Sequence, residues 1–131
     1  MDAAQALREL TELSSQIESA VVLAADGSVL ASTHEDPNRS GALASSALEL
    51  VAAASDLSSS AQAVTRAEVE LEDGALFVLR EGDLTIAATT GPHPTSGLVV
   101  YDLRTCLQGI GEPEQKKKRK PTTRKPKEGD A

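Results

Sequence analysis

The chain has no lysine before Lys116, no tryptophan, a single cysteine, and only Phe77 and Tyr101 as aromatic residues. Each absence removes a class of chemistry. Without a lysine the body of the chain has neither the phosphate-binding lysine of a P-loop nor an amine for a Schiff base, so nucleotide hydrolysis of the P-loop kind is excluded. One cysteine, Cys106, allows no internal disulfide and points to a reducing compartment. The only two histidines, His34 and His93, stand in separate polar segments, and with one distant cysteine they offer no zinc-like spacing. Serines are plentiful, yet no Gly-x-Ser-x-Gly elbow accompanies them. Two aromatics cannot build a base-stacking platform, so any contact with nucleic acid would be electrostatic and indifferent to sequence. No run approaches the ~18 apolar residues of a membrane span, and Met1-Asp2-Ala3-Ala4 lacks the cationic start of a signal peptide. The expectation is a soluble cytoplasmic protein that is not an enzyme and carries no metal or cofactor.

What is present is charge, very unevenly placed. Residues 1 to 115 hold 18 acids against five arginines (Arg8, Arg39, Arg66, Arg80 and Arg104), a net of −13. Residues 116 to 131 hold eight cations against two acids, a net of +6, which brings the 131-residue chain to −7. The length suits one domain and is too short for two ordinary ones. The expected organisation is therefore an acidic globular domain over 1–111 and a basic tail over 112–131.

Within the domain, period-2 alternation marks the strands. Thr65, Ala67, Val69 and Leu71 alternate with Arg66, Glu68, Glu70 and Glu72, which predicts a strand with one apolar face and one solvated face, at the edge of a sheet. Its acidic row either meets a basic partner or the tail, or stays solvated and discourages strand addition. Asp73-Gly74 closes a hairpin into Leu76-Phe77-Val78-Leu79, which is apolar on both faces and must be covered twice. Glu81-Gly82-Asp83 turns the chain again into Leu84–Thr90. Earlier, Asp26-Gly27 joins Ala20–Ala25 to Ser28–Thr33 as a second hairpin.

Helical periodicity occupies the gaps. Asp2 caps a first helix whose stripe is Ala3, Ala6, Leu7, Leu10, Leu13 and Ile17. Thr95 or Ser96 caps a third, with Val99, Leu103, Cys106, Leu107 and Ile110 on its apolar side, ended by Gly109 and Gly111. Cys106 on that stripe reads as a small buried filler rather than a nucleophile. The middle helix, Gly41 to Ser58 with Ser40 as its cap, carries two adjacent stripes. Leu43, Ala47, Leu50, Ala54 and Leu57 form one, and Ala44, Leu48 and Val51 the other. Either this helix is sunk deeply into its own domain, or it is shared between its own sheet and a second subunit. The second reading predicts a homodimer whose contact includes Leu43, Ala47, Leu50, Ala54, Leu57 and Val69, with the edge strand from Val64 to Leu71. The fold class is α/β of the α+β type: a five-stranded antiparallel sheet with helices on both faces, in the order helix, hairpin, helix, three-stranded meander, helix.

That order, with the helix stripe Leu7-Leu10-Leu13, the hairpin at 20 to 32, the Ala-rich helix 42 to 57 and Asp-Gly-Ala-Leu-Phe-Val-Leu at 73 to 79, resembles the roadblock (dynein light-chain) domain family over about residues 3 to 110. An Ala-rich body that uses arginine to the exclusion of lysine suggests a bacterium with a GC-rich genome, and the resemblance then implies the family's bacterial small-GTPase-regulator type. Where this family commonly enters its first strand through Pro-Gly-Val, the chain has Glu18-Ser19-Ala20. The resemblance implies a non-catalytic dimeric partner of a small Ras-like GTPase or of a signalling complex, and the same sandwich is also compatible with a small-ligand sensor.

The tail lies outside the resemblance. Lys116, Lys117, Lys118, Arg119, Lys120, Arg124, Lys125 and Lys127 stand among prolines with no apolar residue, a composition expected to stay disordered. It either follows the phosphates of DNA or anionic lipid headgroups, which would bring the protein to the nucleoid or the membrane periphery, or it is a solubilising counterweight to the acidic body.

Overall fold

The computed structural model describes residues 1–57 and 65–119, the stretch 111–119 by its backbone alone. Eight elements follow in order: α1 (Ala3–Leu13), β1 (Ile17–Leu23), β2 (Val29–Ser32), α2 (Pro37–Ser55), β3 (Arg66–Leu71), β4 (Gly74–Glu81), β5 (Leu84–Thr90) and α3 (Ser96–Arg119). The strands form one antiparallel sheet in the order β2-β1-β5-β4-β3. This is the predicted fold class. Burial follows the strand order: β1 and β5 are buried on both faces in the middle, whereas β2 and β3 are largely exposed or half-buried at the edges, β3 with its alternating charges and β2 despite its apolar Val29 and Leu30.

The two faces are covered unequally. On one, α1 and α3 lie side by side over Ile17, Ala20, Val22, Ala75, Phe77, Leu79, Ile86 and Ala88. On the other, α2 alone packs Ala44, Ala47 and Val51 against Val21, Leu23, Val78 and Ala87. Phe77 and Val78 point to opposite layers, so the strand that is apolar on both faces is covered twice, as its sequence requires.

Turn chemistry sets the corners. The first hairpin closes with the Gly27 amide bonded to the Ala24 carbonyl at 2.9 Å, and Gly27 takes the left-handed φ of 89° that glycine adopts without strain. Ser28 donates from its amide and hydroxyl to Asp26 Oδ1 at 3.0 and 2.7 Å, which holds that carboxyl below the usual range. At the start of β4 the constraint is proximity instead. A Cβ on Gly74 would overlap the Thr90 carbonyl oxygen.

Several helix boundaries differ from the sequence reading. Asp2 does cap α1, accepting from the Gln5 amide at 2.8 Å, but the helix ends at Leu13, so Ile17 opens β1 instead of completing the helical stripe. A four-residue step from Leu13 suits a further helical turn as well as an apolar residue opening a strand, and the period alone does not separate them. Leu13 is left 81% exposed. The cap of α2 is Asp36, whose carboxylate accepts from the Asn38 amide at 2.9 Å, with Pro37 in the first turn where its missing N–H costs nothing. Ser40 lies inside the helix, and its hydroxyl donates to Ser32 Oγ at 2.7 Å, tying α2 to β2. The third helix runs through Gly109 and Gly111 to Arg119, because Gly109 stays out of the left-handed region that a terminating glycine needs. The connection at Ser58–Ser60, Val64 at the head of the expected edge strand, and Lys120 to Ala131 lie outside the described residues.

Candidate functional site

The feature that stands out is the half of the sheet that α2 leaves open. This helix crosses over β1, β2 and β5, while the same face continues onto β4 and β3. There, register places Val78 beside Ala67 and Leu76 beside Val69, so one apolar row runs from the core out to the edge. Burial decays along it. Val78 is buried, Leu76, Ala67 and Val69 are half-buried, and Leu71 is 48% exposed. β3 is the last strand, so its outer backbone groups have no strand partner among the described residues.

The predicted helix stripes divide along the same line. Ala44, Ala47 and Val51 are buried against the sheet. Leu43 and Leu50 are half-buried at the border of that core, and Ala54 is half-buried further along. Leu48 is 41% exposed and Leu57 91% exposed. Of the six residues expected at a subunit contact, Ala47 is thus held inside its own domain, Leu43, Leu50, Ala54 and Val69 flank the open face, and Leu57 stands free at the end of α2. Leu76 belongs to the same patch and was not singled out from the sequence. The signal was there, since a strand apolar on both faces beside an edge strand cannot be fully covered by one helix lying over the other side of the sheet.

The acidic row of β3 faces the opposite layer. Glu68 pairs with Phe77 and Glu70 with Ala75, which places both on the α3 side. The Ser96 hydroxyl donates to Glu68 Oε2 at 2.7 Å, so that carboxylate is partnered and not merely solvated. The ion pair found among the described residues is Arg104 Nε to Glu81 Oε2 at 2.9 Å, and Gln108 Nε2 donates to the same carboxylate at 3.3 Å.

Groups with catalytic potential are few. Both histidines sit in loops, and His93 has a φ of 60°. Cys106 is buried between α3 and α1, where desolvation, with Glu9 nearby adding to it, pushes the thiol up to about 11. Such a thiol is a packing group, as its place on the stripe predicted. Among the described residues no group of three His, Cys, Asp or Glu side chains could hold a metal ion. No described helix is long and apolar enough to cross a membrane. An open cleft of about 530 Å³ lies between the turns at 24–25 and 82–83, bordered by Leu48, Val51, Arg80 and Thr85.

On its α2 side the sandwich has a half-covered apolar face that reaches the β3 edge, and uncovered apolar surface of this kind is what another molecule can cover. The family follows from comparison. Residues 3–90 match the Roadblock/LC7 domain, and the chain belongs to that family. Among solved structures it is similar to a Roadblock/LC7 domain from Streptomyces avermitilis, at 22% identity and a TM-score of 0.70, covering 84% of this chain and 95% of that one. It is also similar to the gliding protein MglB from Thermus thermophilus, at 16% identity and TM-score 0.62, covering 82% and 84% of the two chains. A third similar structure is an MglB with a tetrameric arrangement, at 17% identity and TM-score 0.63, again covering 82% and 84%. At these identities the likeness shows the fold. Comparison with the curated proteins finds no match.

Proposed function

We propose that the chain is a non-catalytic regulatory protein that works as a homodimer, each copy closing the open half-face of the other, and that the pair serves as the partner of a small Ras-like GTPase. The apolar row Leu76, Val69, Ala67 and Leu71 carries the dimer reading: it extends the core to a free strand edge and stops half-covered. Leu43 and Leu50 of α2 border the same opening, so helix and strand would contribute to one contact. Family membership supports the GTPase reading. Any effect on the GTPase would arise from binding one of its nucleotide states in preference to the other.

Two measurements test this. Light scattering over a concentration series should give a dimer for the natural chain, and Leu50→Asp should split it or unfold the domain, since both outcomes follow from burying an unpaired carboxylate. A natural chain that is monomeric throughout would remove the dimer. For the partner, a Ras-like GTPase encoded beside this gene should bind the protein in its GDP-loaded and GTP-analogue-loaded forms with affinities at least about tenfold apart, or about 1.4 kcal/mol. Equal affinities, or none, would remove the regulatory reading.

A further inference from the structure

One row of side chains on the α2 side of the sheet changes character as it leaves the core. Strand register sets Leu23 beside Thr85 and Thr85 beside Arg80, and the Arg80 amide donates to the Thr65 carbonyl at 2.8 Å. Leu23, Val78 and Ala87 belong to the core under α2, and alternation along β4 and β5 puts Arg80 and Thr85 on the same face. Leu23 is fully buried, Thr85 is 8% exposed and Arg80 is half-buried. Thr85 and Arg80 line the cleft of about 530 Å³, a size usual for small-ligand sites. Ala24 and Ala25 from the first hairpin, with Leu48 and Val51 from α2, give it apolar walls.

Both polar groups of that row lack a partner among the described residues. Neither the Thr85 hydroxyl nor the Arg80 guanidinium enters a hydrogen bond or ion pair there, whereas buried polar groups in native proteins are almost always satisfied. Glu81, the next residue of β4, turns to the opposite layer, where Arg104 and Gln108 hold it. Asp83 is the acid that lines the cleft, and it stays beyond ion-pair distance of Arg80. A body of net −13 thus leaves this arginine facing a cavity with no carboxylate of the described residues paired to it.

The donor set selects the ligand. A guanidinium offers two parallel N–H groups to the two oxygens of a carboxylate, and a hydroxyl beside it adds a further donor to the same anion. The phosphates of a nucleotide would bring several negative charges to a single cation, with Asp83 in the wall. A carboxylate brings one. The alanines, Leu48 and Val51 then suit a hydrocarbon body.

We propose that this cleft binds an aliphatic monocarboxylate, its carboxylate on Arg80 and Thr85 and its hydrocarbon body against Leu48 and Val51. The site is built from one copy of the chain and depends neither on the dimer nor on the GTPase. Short fatty acids and aliphatic amino acids share this chemistry. Asp83 separates the two, because it would face the ammonium group of an amino acid.

Titration of the isotope-labelled full-length chain with hexanoate, norleucine and hexylamine, followed by amide NMR, tests the site. Hexanoate or norleucine should saturate with a Kd of about 1 mM or tighter, moving the amides of Ala24, Leu48, Arg80 and Thr85. Hexylamine, which keeps the hydrocarbon and lacks the carboxylate, should move none of them. Arg80→Gln should weaken binding at least about tenfold, and Thr85→Val, which keeps the shape and removes the hydroxyl, at least about threefold. The spectrum of each variant reports whether it is folded; if Thr85→Val is not, Arg80→Gln at the half-buried position decides alone. Asp83→Asn identifies the source: it should weaken norleucine if the ligand is an amino acid, and tighten hexanoate if it is a fatty acid. The proposal is overturned if neither acid saturates by about 10 mM, if hexylamine binds as well as hexanoate, if folded Arg80→Gln binds as the natural chain does, or if the shifts lie away from the cleft.

Discussion

Phe77→Ala is the most informative single perturbation of the fold. Phe77 is 1% exposed and is the only aromatic side chain in the core. The sheet register explains its weight: across the strands, Ala20 pairs with Ala88 and Ala88 with Phe77, so toward the middle of the sheet the ring's neighbours in its row are methyl groups, with Glu68 on its outer side. Alanines cannot move to refill the space when the ring is removed. The loss should therefore fall in the upper part of the usual range for Phe→Ala, about 4–5 kcal/mol, because cost grows with the volume that fails to collapse. A domain of this size is stable by about 5–15 kcal/mol, so the variant should remain folded only marginally. With a urea m-value of roughly 1.5 kcal/mol/M, the unfolding midpoint should drop by ~3 M at fixed protein concentration. Phe77→Leu, which keeps branched bulk over the alanine row, should lose only about 1–2 kcal/mol. Urea titration followed by circular dichroism measures both. A loss below ~2 kcal/mol for Phe77→Ala would refute the claim that this row cannot close.

Two further outcomes follow from the site and the tail. Cys106, with its thiol pushed up to about 11, should react with a disulfide reagent far more slowly than a free thiol at pH 8 and speed up on unfolding. Since burial raises its folded value above the unfolded one of 9.0, its contribution to stability is present below pH 9 and is lost as pH rises toward 11, which thermal unfolding at pH 8 and pH 10.5 would show; fast labelling of the folded protein at pH 8 contradicts the buried placement. Removing residues 112–131 should leave the sandwich folded, because the core contacts described for α3, from Val99 to Leu107 with Ile110 packed against them, all precede the cut. Any binding to random-sequence DNA or anionic vesicles should weaken steeply with salt and vanish with that deletion; binding that survives either change would place it elsewhere.

Strand existence, the two hairpins, the element order and the fold class were legible in the sequence because each rests on local signals. Asp26-Gly27 specifies a turn, alternation between 65 and 72 specifies a face, and the corner expected at Asp73-Gly74 falls one residue earlier, at Glu72-Asp73, with Gly74 already in β4 opposite Leu71. Helix ends were less legible. Asp36-Pro37 and Ser40 both offer start signals, and only the packing of Ser40 against Ser32 decides between them. The doubled stripe of α2 announced more apolar surface than one sheet needs, but which residues it leaves open depends on where the helix crosses the sheet. That crossing is decided by β5 returning to lie beside β1, a pairing between residues about 70 apart in the chain. It pushes β4 and β3 out beyond α2, which makes Leu76 part of the open face and turns the acidic row toward Ser96. Sequence thus determined which residues are apolar and in what rhythm; only the tertiary structure decided which of them remain uncovered, because coverage is a property of layers and local periodicity does not encode how layers overlap.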